Sequence, residues 1–150
     1  MKRSPELTPL SHDHHQALFA AQQLKRADDP APAVEALLAF WRAHGRDHFR
    51  IEEEILLPGW LEGDPTAAGE LAARVSAEHL AIRRLVRRAE REGLSVEELR
   101  GLGALIADHV RFEERQLFPL IEAALEPGAI AELGAEIADA EARAHGDIGG

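Results

Sequence analysis

Four histidines stand in this chain where a helical core wants aliphatic side chains, and that placement constrains the fold more than any other feature. Apolar residues recur at alternating spacings of three and four along nearly the whole chain, the period of amphipathic helices. One line runs Leu10, His14, Ala17, Ala21 and Leu24; a second runs Val34, Leu37, Trp41, His44, His48, Ile51 and Ile55. A third runs Ala72, Val75, His79, Ile82, Val86 and Ala89, and a fourth Leu102, Leu105, His109, Phe112 and Gln116. Breaks fall where chain chemistry demands them. Thr8-Pro9 reads as an N-cap with proline at the first helical position. Residues 27–32 (ADDPAP) end the first helix, Pro58-Gly59 the second, and the loop Glu62-Gly63-Asp64-Pro65 precedes the third. Gly93 stops the third, Ser95 with Glu98 forms a capping box for the fourth, and Pro127-Gly128 closes it. A shorter amphipathic segment at about 129–145 carries Ile130, Leu133, Ile137 and Ala140, before a Gly-rich tail. No segment alternates as a strand does. The expectation is an all-α fold in one domain spanning 1–150. It is an antiparallel up-down-up-down four-helix bundle over about 8–126, with a short C-terminal fifth helix.

The two halves of the chain repeat each other in chemistry. Leu10-Ser11-His12-Asp13-His14 matches Val75-Ser76-Ala77-Glu78-His79. His48-Phe49-Arg50-Ile51-Glu52-Glu53 matches His109-Val110-Arg111-Phe112-Glu113-Glu114, and Pro58 and Pro119 each follow their His by ten residues. Positions i and i+4 share a helix face, so His48 with Glu52 and His109 with Glu113 project as pairs. One inward imidazole per helix packs poorly unless its nitrogens are satisfied. Buried, unpaired carboxylates beside them cost several kcal/mol each. A bound cation or cation pair resolves both problems.

Composition closes off several alternatives. Seventeen Lys and Arg against 27 Asp and Glu give a net charge of −10, which disfavours nucleic acid as a partner. The absence of Cys excludes disulfides, thiolate metal sites and cysteine nucleophiles. No apolar run follows the residues after Met1, and none approaches the length of a membrane span. A cytoplasmic protein with no membrane partner is expected.

The pattern His … His-x-x-x-Glu, given twice and followed by Leu57-Pro58 and Phe118-Pro119, resembles the hemerythrin-like HHE cation-binding family. The resemblance covers about residues 8–126. It implies a non-haem di-iron centre in the bundle core, with the two motif glutamates bridging the irons. The implied ligands are His14, His48, Glu52, His79, His109 and Glu113. The hemerythrins proper carry a His-x-x-x-His on the third helix, whereas Val75 and Arg83 stand four residues either side of His79 here. They also use an aspartate five residues after the last His, where this chain offers Glu113 four residues after His109. Two octahedral irons take about twelve bonds. With an oxo or hydroxo bridge, the six implied ligands leave two positions open. His44, one turn before His48, is a candidate extra ligand, although its counterpart is Leu105. His15 rivals His14, and the repeat favours His14. His12 and His145 are expected at the surface. Glu53 and Glu114 read as a solvated face or salt bridges more readily than as supports for the ligands.

Iron follows from the resemblance; imidazole and carboxylate without sulfur also suit Mn or Zn. The expected function is a di-iron (cation) binding protein that binds or senses O2, NO or peroxide, or buffers iron. Its partner is then a small diatomic or peroxide. An enzyme decomposing peroxide or oxidising iron is the alternative, less favoured because no further acid/base constellation is present; a zinc-stabilised helical interaction module is another. Arg83, Arg84, Arg87, Arg88 and Arg91 put five cations on the third helix of an acidic chain. They read as a solvated face paired with nearby Glu, or as a surface for an acidic partner or another subunit.

Overall fold

Five helices make up nearly all of the backbone in the computed structural model, which describes residues 2–64 and 69–149. They are α1 (Thr8–Lys25), α2 (30–63), α3 (Glu70–Arg91), α4 (96–124) and α5 (Pro127–Gly149). No strand occurs among the described residues. The predicted loop before α3 is described only to Asp64, and Pro65 lies outside the described residues.

Local chemistry sets most boundaries as anticipated. Asp29 caps α2 by accepting the Ala31 N–H. Ser95 and Glu98 form the reciprocal capping box at the start of α4. Gly93 leaves α3 with φ +83°, a conformation open to glycine and costly for other residues. Three expectations need correction. Thr8 is not the N-cap: it lies inside α1, and its hydroxyl donates to the Ser4 carbonyl at 2.8 Å. Pro127 opens α5 rather than closing α4, because proline lacks the N–H that a first helical turn leaves unused. The fifth helix is accordingly longer than 129–145 and runs through Gly149.

The third correction concerns α2, which passes through Pro58 without ending, as α4 passes through Pro119. In each, a π-helical turn lies just before the proline: Glu52–Leu56 in α2 and Glu113–Leu117 in α4. Leu57 N–H bonds the Glu52 carbonyl, and Phe118 N–H bonds the Glu113 carbonyl. A proline removes one donor and clashes with the carbonyl four residues back; the extra residue of a π turn moves that carbonyl aside. Each turn begins at the motif glutamate. A third π turn, Trp41–Gly45, has no counterpart in α4, where the α-helix Val96–Phe112 is continuous.

The core is two apolar clusters with a polar layer between them. Leu10 of α1, Ile51 and Trp60 of α2, Val75 of α3 and Phe118 and Ile121 of α4 belong to one, which Leu133 and Ile137 of α5 also enter. Ala17 and Leu24 of α1, Leu37 and Trp41 of α2, Ile82 and Val86 of α3, and Leu102 and Ile106 of α4 belong to the other. Each of α1 to α4 contributes to both, and its histidine sits where it passes between them. The α1–α4 contact is close enough to require Gly103: a Cβ there would meet the Ala21 carbonyl oxygen at 2.7 Å.

Candidate metal centre

Six buried polar residues fill the layer between the clusters: His14, His48, Glu52, His79, His109 and Glu113. Helical period explains their convergence, since each histidine replaces an aliphatic residue on its helix's inward line. Glu52 and Glu113 lie one turn further on and are fully buried. The ligand-capable atoms fall into two groups of four: His14, His48, Glu52 and Glu113; and Glu52, His79, His109 and Glu113. Within each group they lie within 4.8 Å of one another, and both carboxylates belong to both groups.

The histidines are oriented alike. Every Nε2 faces the interior, and every Nδ1 faces a carboxylate. His14 Nε2 is 2.8 Å from Glu113 Oε1, and His48 Nε2 is 3.1 Å from Glu52 Oε2. His79 Nε2 lies 3.0 Å from Glu52 Oε1 and 3.1 Å from His109 Nε2. On the outer side, Nδ1 of His14 reaches Glu114 at 2.9 Å, and that of His48 reaches Asp13 at 3.0 Å. His79 reaches Glu53 at 2.7 Å and His109 reaches Glu78 at 2.8 Å. A carboxylate accepting from Nδ1–H fixes the neutral tautomer with its lone pair on Nε2, the atom that can bind a metal. Phe49 stacks on His79 with centroids 3.8 Å apart, and Phe118 stacks on His14 at 5.4 Å, so two of the rings are also held by packing.

These groups fit a cation on the structure's own terms. His48 Nε2, both oxygens of Glu52 and Glu113 Oε2 are buried without a hydrogen-bond partner. The short distances to Glu52 bring charges together but do not meet hydrogen-bond geometry. Buried atoms of this kind need compensation. With no cation, protons supply part of it. Burial opposes charging each ring, yet the carboxylates outweigh it. Glu113 and Glu114 raise His14, Glu52 and Glu53 raise His79, and Glu52 and Asp13 hold His48 well above the usual imidazole range. Glu113 and Glu78 push His109 up to about 10 against the same opposition. Burial would raise Glu113, but His109 and His14 hold it well below the usual carboxylate range. A metal binding here would displace those protons.

Of the residues singled out from sequence, the structure brings His14, His48, Glu52, His79, His109 and Glu113 together and leaves His44 and His15 out of both groups. His44 has its ring 6.4 Å from that of Phe40. His15 is exposed, its ring 6.2 Å from that of His12, because it sits one position round the helix from the inward line. His12 is exposed as anticipated, and His145 is exposed and pairs with Glu141 at 3.3 Å. Glu53 and Glu114 carry more than a solvated face. They orient His79 and His14 while also pairing with Arg83 (2.9 Å) and Arg3 (3.7 Å). Asp13 and Glu78 support rings as well, and their signal in the sequence is the acid just before each histidine of α1 and α3 in the repeat. Arg83 thus serves the centre indirectly, while Arg88 pairs with Glu92 and Glu98. Arg84, Arg87 and Arg91 are exposed.

No helix among the described residues is long and apolar enough to cross a membrane. Comparison with known proteins returns no match among curated proteins and none among solved structures. The family profile described as the Hemerythrin HHE cation binding domain matches residues 7–121, most of the chain and every residue of the two four-membered groups. By that match, the chain belongs to the hemerythrin HHE cation-binding domain family.

Proposed function

We propose that the chain is a non-haem di-iron protein that takes up a small diatomic or peroxide ligand at the buried centre. His14 and His48 would hold one cation, His79 and His109 the other, and Glu52 and Glu113 both. One observation carries this reading: the two groups of four share the same two carboxylates, which suits a pair of cations better than one. Nitrogen and oxygen donors without sulfur suit iron, manganese or zinc; iron follows the resemblance. Bound iron would supply reversible redox chemistry and positions open to O2, NO or peroxide.

The chain's own residues do the rest. Asp13, Glu53, Glu78 and Glu114 hold the imidazoles in the metal-binding tautomer. Burial excludes bulk water. A cavity of about 20 Å³, lined almost wholly by apolar atoms, lies against His14, His48 and His109 between Leu37, Trp41 and Ile106. It has room for one or two water-sized molecules, which favours a small ligand over a bulky one. The order in which α1 to α4 visit the two apolar clusters supports an up-down-up-down course within a single domain.

The test is metal stoichiometry on anaerobically purified protein, with absorption spectra before and after air. Two irons per chain and a near-ultraviolet charge-transfer band that appears in air are the expected result. Fewer than one ion per chain, with a melting temperature indifferent to chelator, would overturn the reading.

A further inference from the structure

The apolar cavity beside the centre has a neighbour. A second, smaller hollow of about 10 Å³ lies between α1, α2 and α5, lined by Asp13, His44, His48, Glu141 and His145 among others. His145 is exposed, so this hollow lies at the surface. Asp13, His44 and His48 line both spaces and therefore form the partition between them. Two of the three are tied: Asp13 and His48 bond each other at 3.0 Å. His44, half-buried, makes no hydrogen bond or ion pair among the described residues; its one ring neighbour is Phe40.

The backbone under His44 is also distinctive. It belongs to the π turn Trp41–Gly45, and the next residue, Gly45, leaves room for two aromatic rings. A Cβ at Gly45 would meet Trp41 Cε3 at 2.7 Å and Phe40 Cε2 at 3.0 Å. In α4 the repeat places Leu105 and Ile106 at these positions, in a continuous α-helix; Ile106 is buried and Leu105 packs on the same apolar cluster. The two walls differ in what opening them costs. Turning Leu105 outward would expose apolar surface. Turning His44 outward gives an imidazole without protein partners access to water on both nitrogens.

We propose that His44 is the residue that governs passage of small molecules from the surface hollow to the cavity at the centre. Its ring closes the partition and swings aside to admit a diatomic, while the matching wall of α4 stays shut. This rests on the reading of the centre as one that takes a small ligand, and it adds the route and the residue that selects by size.

Trp41 lines the inner cavity and serves as the reporter, and Trp60→Phe removes the only other tryptophan. The full chain is loaded with zinc(II), which neither reacts with dioxygen nor quenches indole. Quenching of Trp41 fluorescence by dissolved dioxygen is then measured. His44→Ala is expected to raise the quenching rate constant severalfold, His44→Leu to lower it, and Leu105→Ala to leave it near the parent value. The proposal is overturned if both His44 substitutions leave quenching unchanged, or if Leu105→Ala raises it as much as His44→Ala. Trp41 also borders a surface hollow lined by Arg83, Arg87 and Arg91, whose contribution is common to every variant, so the differences between variants read the passage, whether or not iron is the resident metal. Failure of this test is therefore distinct from failure of the metal reading, which stoichiometry tests.

Discussion

The two halves of the chain supply the same inward histidines and glutamates but not the same surroundings. The half built from α1 and α2 gives Asp13, His14, His48, Glu52 and Glu53, and the half built from α3 and α4 gives Glu78, His79, His109, Glu113 and Glu114. The pattern of support is symmetric: the acid before the first histidine orients the second, and the last glutamate orients a histidine of the other half. What stands behind the acids is not symmetric. Glu53, Glu78 and Glu114 pair with Arg83, Arg74 and Arg3. Asp13 has Glu141 of α5 in that place, and Asp13, His48 and Glu141 lie within 4.8 Å of one another. The surplus π turn and His44 lie beside the same corner. Duplication therefore explains the core of the site, while the differences between the copies gather at one corner, where α5 and the surface hollow meet His48.

The strongest test of the shared core is removal of a shared ligand. If each carboxylate serves both cations, Glu52→Ala and Glu113→Ala should each empty both groups, read as metal per chain after dialysis. A variant that keeps one ion would show that the halves bind independently and break the equivalence. The next effect is on folding, where both walls should lose stability, one through a void and the other through overpacking. Ile106→Ala leaves a void in a close-packed cluster and should cost ~2–5 kcal/mol in urea unfolding. Gly45→Ala instead adds an atom against Trp41 and Phe40 and should cost ~1–3 kcal/mol through overpacking, while shrinking the inner cavity. Equal tolerance of both would mean that the π turn is incidental to that cavity.

The supporting acids come next in size. Glu53→Gln, Glu78→Gln, Glu114→Gln and Asp13→Asn should each weaken metal binding about 10–100-fold in competition titrations, because the tautomer and ring angle are no longer fixed. The asymmetry predicts one further difference. Asp13→Asn alone should also speed backbone amide exchange in residues 133–145, because Asp13 is the acid that meets α5. Exchange changes in α5 with the glutamate variants too would argue against a special corner.

The six inward residues were legible because a buried polar side chain must break an apolar period, and a duplicated break is hard to produce otherwise. The capping box of Ser95 and Glu98 was legible for similar local reasons. The roles of Glu53 and Glu114 were not, because their partners lie on other helices: Glu53 on α2 supports His79 on α3, and Glu114 on α4 supports His14 on α1. Sequence spacing reports which residues share a face of one helix and says little about which neighbour faces them. Pro58 marks a false helix end for a related reason, since a sequence does not display a π turn. Pro58 and Pro119 are helix breakers on an α ladder, and only the π turns that begin at Glu52 and Glu113 let the helices continue.

The smallest expected effect, and the most specific to the asymmetric corner, is a pH dependence of α5. Burial, hydrogen bonding to Asp13 and the Asp13 charge push the Glu141 carboxyl up to about 8 from an ordinary value of 4.5. The groups facing it are Asp13 of α1, Asp47 and His48 of α2, and His145 on its own helix. A carboxyl raised on folding adds stability that is complete below its unfolded value and lost as the pH climbs through the folded one. Protonated Glu141 can donate to Asp13; ionised, it sets a second negative charge against Asp13 and Asp47. Amide exchange in residues 133–145, corrected for intrinsic rates, should therefore accelerate progressively as the pH rises from 4.5 to about 8 and level off above it. Glu141→Gln, neutral at every pH, should hold it flat. The first turn of α1, where Arg3 backs Glu114, supplies the contrast. Its acid already faces a permanent cation, so residues 7–11 should show no such step; one there as well would place the cause in general alkaline loosening.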